Sequence, residues 1–134
     1  MNQISSKIHG ILDYIVVIFL WASPTLFELP EKTAAFTYIL GAVHLVLTIF
    51  TNFEYGIIRF IPLKIHGAIE LIVSLALVGF AFFMGSREGD IARNFYLGFS
   101  MSVFIVWIFS DYTNKPKGKQ EIPYMESNTD GGMI

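Results

Sequence analysis

This sequence predicts an all-α membrane protein: four transmembrane helices in one bundle, built from two tandem helical hairpins. Three observations carry that reading. The 134 residues are 54% hydrophobic and 16% aromatic but only 15% charged, a membrane composition. Apolar stretches cover 8–27, 36–53, 65–84 and 95–109. Each is about the length a helix needs to cross ~30 Å of hydrocarbon at a rise of 1.5 Å per residue. Finally, Lys7-Ile8-His9-Gly10 recurs as Lys64-Ile65-His66-Gly67, and at that offset of 57 residues 7–55 and 64–112 share 13 identities in 49 positions. The chain therefore reads as a tandem duplication. Residues 1–112 form a transmembrane domain, with repeat 1 at 7–55 and repeat 2 at 64–112, and 113–134 form a flexible cytoplasmic tail rich in Lys, Gly, Ser and Asn.

The helical state of each stretch follows from the solvent, because exposed loops or open sheet edges inside lipid leave backbone groups unpaired. A water-soluble bundle would show polar faces at helical period, and these segments do not. The first stretch has a weak basic flank, Lys7 alone, and Trp21-Ala22-Ser23 is a poor cleavage site, so it reads as a retained helix. Leu29-Pro30-Glu31-Lys32 supplies the first turn. The second helix carries Gly41, His44, Thr48 and Thr51 on one stripe, which should face other helices.

The connector from Glu54 to Leu63 is apolar yet too short to cross. It should lie along the interface with Tyr55 and Phe60 at headgroup level and Arg59 toward water. The third helix presents Gly67, Glu70, Ser74 and Ala81; Gly85-Ser86-Arg87-Glu88-Gly89-Asp90 reads as a turn; and the fourth helix presents Gly98 and Ser102. Six Lys or Arg (Lys7, Arg59, Lys64, Lys115, Lys117, Lys119) fall on one side against three (Lys32, Arg87, Arg93) on the other. That imbalance predicts a multi-pass protein of the bacterial inner membrane with both termini cytoplasmic.

The two-helix repeat, the Lys7-x-His9-x-x-x-Asp13 start, Ser23-Pro24 and the connector Thr51-Asn52-Phe53-Glu54-Tyr55-Gly56 to Arg59-Phe60-Ile61-Pro62 together resemble the SPW-repeat family of small bacterial integral membrane proteins. The resemblance covers nearly everything before the tail. The tryptophan of the family's Ser-Pro-Trp is Thr25 here, and the second repeat has Phe80-Ala81-Phe82 in its place. The resemblance implies a topology and no activity.

Chemistry should be sought among the ionisable residues kept in register. His9 and Asp13 are four apart and share a helical face, as do His66 and Glu70. Glu54 and Asp111 end the second and fourth helices on the same side. Two imidazoles and four carboxylates, His9, Asp13, Glu54, His66, Glu70 and Asp111, thus gather at one end of the bundle. That set resembles the ligands of carboxylate-bridged dimetal bundles, although those use Glu-x-x-His spacing. It would suit a divalent metal such as Zn²⁺, Mn²⁺ or Fe²⁺.

The same residues also make a structural network. Acids near a helix N-terminus interact favourably with its dipole, and Lys7 and Lys64 can snorkel to partner them. Depth weighs the other way, because Asp13 and Glu70 lie a turn further in, where an unpaired carboxylate costs a few kcal/mol. His44 falls near mid-membrane as a separate case. It is the one candidate cofactor ligand, since its repeat partner is Met101 and His/Met is a known haem set. A hydrogen-bonded core histidine is the simpler reading.

No phosphate loop or Ser-His-Asp constellation is present, the net charge of −2 argues against nucleic acid, and the absence of cysteine removes thiolate chemistry. The protein reads as a structural or accessory membrane protein without catalytic machinery. The alternative is an ion- or metal-binding protein, or a small-solute or proton transporter, working through the His/carboxylate cluster. Membrane lipid is the first partner, with a homo-oligomer or a larger membrane complex the second.

Overall fold

A computed structural model describes residues 4–110 and 112. It contains α1 (Ser6–Leu26), α2 (Glu31–Ile49), α3 (Leu63–Glu88) and α4 (Asp90–Phe109), and no strand element among the described residues. At 19 to 26 residues each, the helices are about 28–39 Å long. All are long and apolar enough to cross a membrane. α1 packs on α2 and α3 on α4, giving two antiparallel hairpins that touch each other far less.

The ends follow from local chemistry. The Ser5 side chain accepts from the Ile8 amide to start α1, and Pro30 and Pro62 precede α2 and α3, where a missing N–H costs no helical bond. The segment 85–90, expected as a turn, is helical except at Gly89. There φ is +101°, a backbone conformation that glycine adopts without a Cβ penalty. The polar run did not end α3 because its residues still form helix: Arg93 pairs with Asp90 at 3.2 Å within α4. The Glu88 carboxylate accepts from the amides of Lys32 and Thr33 and from the Thr33 hydroxyl, which caps α2 with the end of α3.

The interior is more polar than the outside. Ser23, Thr33, Thr37, Thr48, Ser74 and Ser100 are buried, whereas Ile15, Ile18, Ile39, Ile72 and Phe82 are exposed. This inversion suits a bundle in lipid, where small and hydroxyl residues let helices approach and bond across. Trp21 shows the close approach. Its indole N–H donates to the Tyr38 carbonyl, and a Cβ on Gly41 would lie 2.6 Å from that nitrogen. Tyr96, fully buried, bonds the Thr37 hydroxyl and packs among Phe36, Phe80, Phe95 and Phe99.

At the other end the connector folds back. Arg59 donates to the carbonyls of Gly56 and Glu54, so its guanidinium serves the loop rather than pointing only to water. Ile57, Ile58 and Phe60 stay exposed. Short parallel pairings join Thr51 to Ile61 and Ile4 to Ser110. Each hairpin's first helix is thereby held beside the end of the other hairpin's second helix.

Candidate metal centre

α1 and α3 meet through their first two turns, and helical spacing puts His9 above Asp13 and His66 above Glu70 on the facing sides. Glycine lets a ring from the connector and one from beyond α4 pack against these turns. Gly10 and Gly67 follow the two histidines, and a Cβ on either would collide with the ring of Phe53 or Tyr112 respectively.

The four side chains interlock. His9 Nε2 is 3.2 Å from Asp13 Oδ1 and 3.3 Å from Glu70 Oε1; His66 Nε2 is 3.2 Å from Asp13 Oδ2 and 3.0 Å from Glu70 Oε2. Each carboxylate therefore faces both imidazoles, and the four offered ligand atoms lie within 4.8 Å of one another. All four residues are buried, none more than 6% exposed.

The second ring nitrogens fix the protonation. His9 Nδ1 is 2.8 Å from Ser110 Oγ, and His66 Nδ1 is 2.8 Å from Thr51 Oγ1. Both hydroxyls already donate their single proton to backbone carbonyls, Ser110 to Val106 and Thr51 to Leu47, each at 2.6 Å. They can only accept from the rings, so Nδ1 carries the hydrogen in both histidines. In a neutral imidazole this leaves Nε2 as a lone pair, aimed at carboxylate oxygens. A lone pair facing an anion repels it unless a cation stands between them or the ring takes a second proton.

The geometry accommodates a cation. Bonds of about 2.0–2.1 Å from a tetrahedral ion imply ligand–ligand edges of roughly 3.3–3.4 Å; one atom from each of the four residues lies within 4.8 Å of the others, so an ion would draw them together. Asp13 Oδ2 and His44 Nε2 are buried without a hydrogen bond, although each has an opposite group at ion-pair distance. His44 Nε2 stands 3.4 Å from Asp13 Oδ1, outside hydrogen-bond geometry. An acceptor behind each ligating histidine is part of a metal site's outer shell, usually a carboxylate, carbonyl or water; here a hydroxyl takes that place. Tyr112 adds to it, its phenol donating to Glu70 Oε1 at 2.6 Å.

No protein-family model, curated protein or solved structure matches this chain. Its chemistry is therefore read from its own residues.

Of the six residues singled out in the sequence, four form the centre. Glu54 stands apart, its carboxylate accepting from the Ser6 hydroxyl at 2.8 Å, and Asp111 lies outside the described residues, as does the tail from 113. Lys7 and Lys64 are exposed while the acids face histidines instead. His44, expected as a separate mid-membrane residue, joins the cluster with Nε2 3.4 Å from Asp13 Oδ1. Met101 is 61% exposed on α4. Thr51 and Ser110 were legible as polar residues near helix ends, but nothing in the pattern paired them with the histidines. Their offset of 59 differs from the 57-residue repeat.

Proposed function

We propose that this protein is a metal-binding integral membrane protein that holds one divalent transition cation with His9, Asp13, His66 and Glu70. One observation carries the reading: two Nε2 atoms, with their opposite nitrogens committed to hydroxyls, converge on two buried carboxylates, one atom of each residue within 4.8 Å of the others. Imidazole with carboxylate favours Zn²⁺, Mn²⁺ or Fe²⁺ over a soft ion. The Lys/Arg distribution supports a bacterial inner-membrane location with the centre toward the cytoplasm. The repeated motifs support a tandem duplication and membership of the SPW-repeat family.

A second reading rests on the His66 Nε2–Glu70 Oε2 distance of 3.0 Å, which suits a direct charge-assisted hydrogen bond. With both rings doubly protonated, two imidazolium ions balance two carboxylates and lock the hairpins together in a structural or accessory protein. Elemental mass spectrometry on untagged protein, purified without chelators, separates the two. One metal per chain, absent from a folded His9→Ala/His66→Ala variant, is the expected result. A metal-free wild type that remains folded would overturn the metal reading and leave the neutral network.

A further inference from the structure

Residues of all four helices enclose a cavity of about 160 Å³. Its walls are apolar except at one end, where Asp13, His44 and Glu70 enter it; the opposite end is Leu20, Leu40 and Phe99. From Asp13 to Leu20 the slot runs about 10 Å along the helix axis, from the metal centre toward mid-membrane. The Ser102 hydroxyl on its wall is used by the Gly98 carbonyl, so the middle of the slot offers no free donor.

The slot also has a side opening. Val43 on α2 is 58% exposed and Ser102 on α4 is exposed, and both line it within the membrane-crossing segments. Its mouth therefore faces hydrocarbon, not water. The order of polarity along the slot is polar beside the helix ends and apolar at depth, the same as that of a lipid in one leaflet. Size narrows the occupant further, because a cavity of about 150 Å³ holds a molecule such as benzene. The slot therefore takes a short stretch of one hydrocarbon chain, and the remainder leaves through the side opening.

We propose that the slot binds a single-chain amphiphile drawn sideways from the bilayer, with its hydrocarbon chain between the hairpins and an oxygen-donor head beside His44 at the metal centre. This deepens the metal-centre reading and rests on it for what the head meets. His44 suits the role of a positioning residue: it lines the slot, and its Nε2 makes no hydrogen bond and lies 3.4 Å from Asp13 Oδ1. The head's oxygen would lie against the His44 ring at the end of the slot that Asp13 and Glu70 also line.

The test is photolabelling in phosphatidylcholine nanodiscs with a fatty acid bearing a mid-chain diazirine, mapped by peptide mass spectrometry. Labels are expected on slot residues such as Leu47 and Val103, falling at least fivefold in Val103→Trp and in Val43→Trp with metal content unchanged. Val43 is at the exposed mouth, so its variant keeps the test valid if the buried substitution prevents folding. Labels confined to outward residues such as Ile39 and Ile105, or unchanged in both variants, would overturn the proposal. Metal content of the same samples separates the failures. A metal-loaded wild type without slot labels overturns the amphiphile alone. Slot labels in a metal-free wild type, unaffected by His44→Ala, overturn the head-group assignment together with the metal reading.

Discussion

Replacing Thr51 by Val removes one hydroxyl and almost no volume, and it touches no proposed ligand atom. Thr51 Oγ1 is 2.8 Å from His66 Nδ1, and both residues are fully buried, so water cannot replace the lost acceptor. Leaving a buried N–H unsatisfied costs about 1–3 kcal/mol. Outer-shell partners of this kind typically contribute about 10–100-fold to metal affinity, or roughly 1.4–2.7 kcal/mol at 1.36 kcal/mol per tenfold. The first figure is a stability cost borne with or without the ion, and the second is the expected loss in Zn²⁺ affinity. It is measured by competition with a chelating dye on protein in nanodiscs. Thr51→Ser, which keeps the hydroxyl, should restore binding, and Ser110→Ala should weaken it through His9 in the same way. Affinity within twofold of wild type in a folded Thr51→Val protein would refute the reasoning. A lowered melting temperature without any change in affinity would instead assign the hydroxyls to a neutral structural network.

Two further outcomes follow from the site's surroundings. Tyr112→Phe removes the donor to Glu70 Oε1 and should weaken Zn²⁺ binding severalfold; burial and the neighbouring carboxylate push the phenol well above its ordinary value, so it stays protonated and the ratio to wild type should be the same at pH 6.5 and pH 9. A ratio that closes at high pH in the same dye competition would contradict that role. Gly10→Ala places a methyl group inside the Phe53 ring position and should destabilise the fold by about 1–3 kcal/mol. Phe53→Leu should recover part of the loss in thermal unfolding, and a neutral Gly10→Ala would show that the connector has room to shift away.

The helices were legible because membrane solvent imposes length and composition directly on the sequence. Their ends were less so, because hydropathy marks what lies in hydrocarbon, while Asp90–Asn94 continues α4 into polar residues that are good enough helix formers. His9, Asp13, His66 and Glu70 were legible through i, i+4 spacing and recurrence. His44 was misjudged for a different reason. Its approach to Asp13 depends on how α2 is rotated and crossed against α1, which packing around Gly41 and Trp21 determines and periodicity in one helix cannot express. Thr51 and Ser110 sit in the last turns of their hairpins, and their partners lie on the other hairpin's first helix or on the helix that follows the connector. Such pairings exist only in three dimensions.

One consequence of dividing the centre between α1 and α3 concerns biogenesis. The first hairpin leaves the ribosome and enters the bilayer before α3 has been made, carrying the His9 imidazole and the Asp13 carboxylate, besides His44 on α2, into hydrocarbon. Neither need be stranded there, because His9 reaches Asp13 at 3.2 Å within a single helix, and His66 reaches Glu70 at 3.0 Å in the same way. Each half can shelter its own charge while it waits. When the second half arrives, the two private pairs exchange partners into a shared four-residue arrangement, so late-stage assembly selects for the correct neighbour and leaves an orphaned hairpin chemically distinguishable from a finished protein.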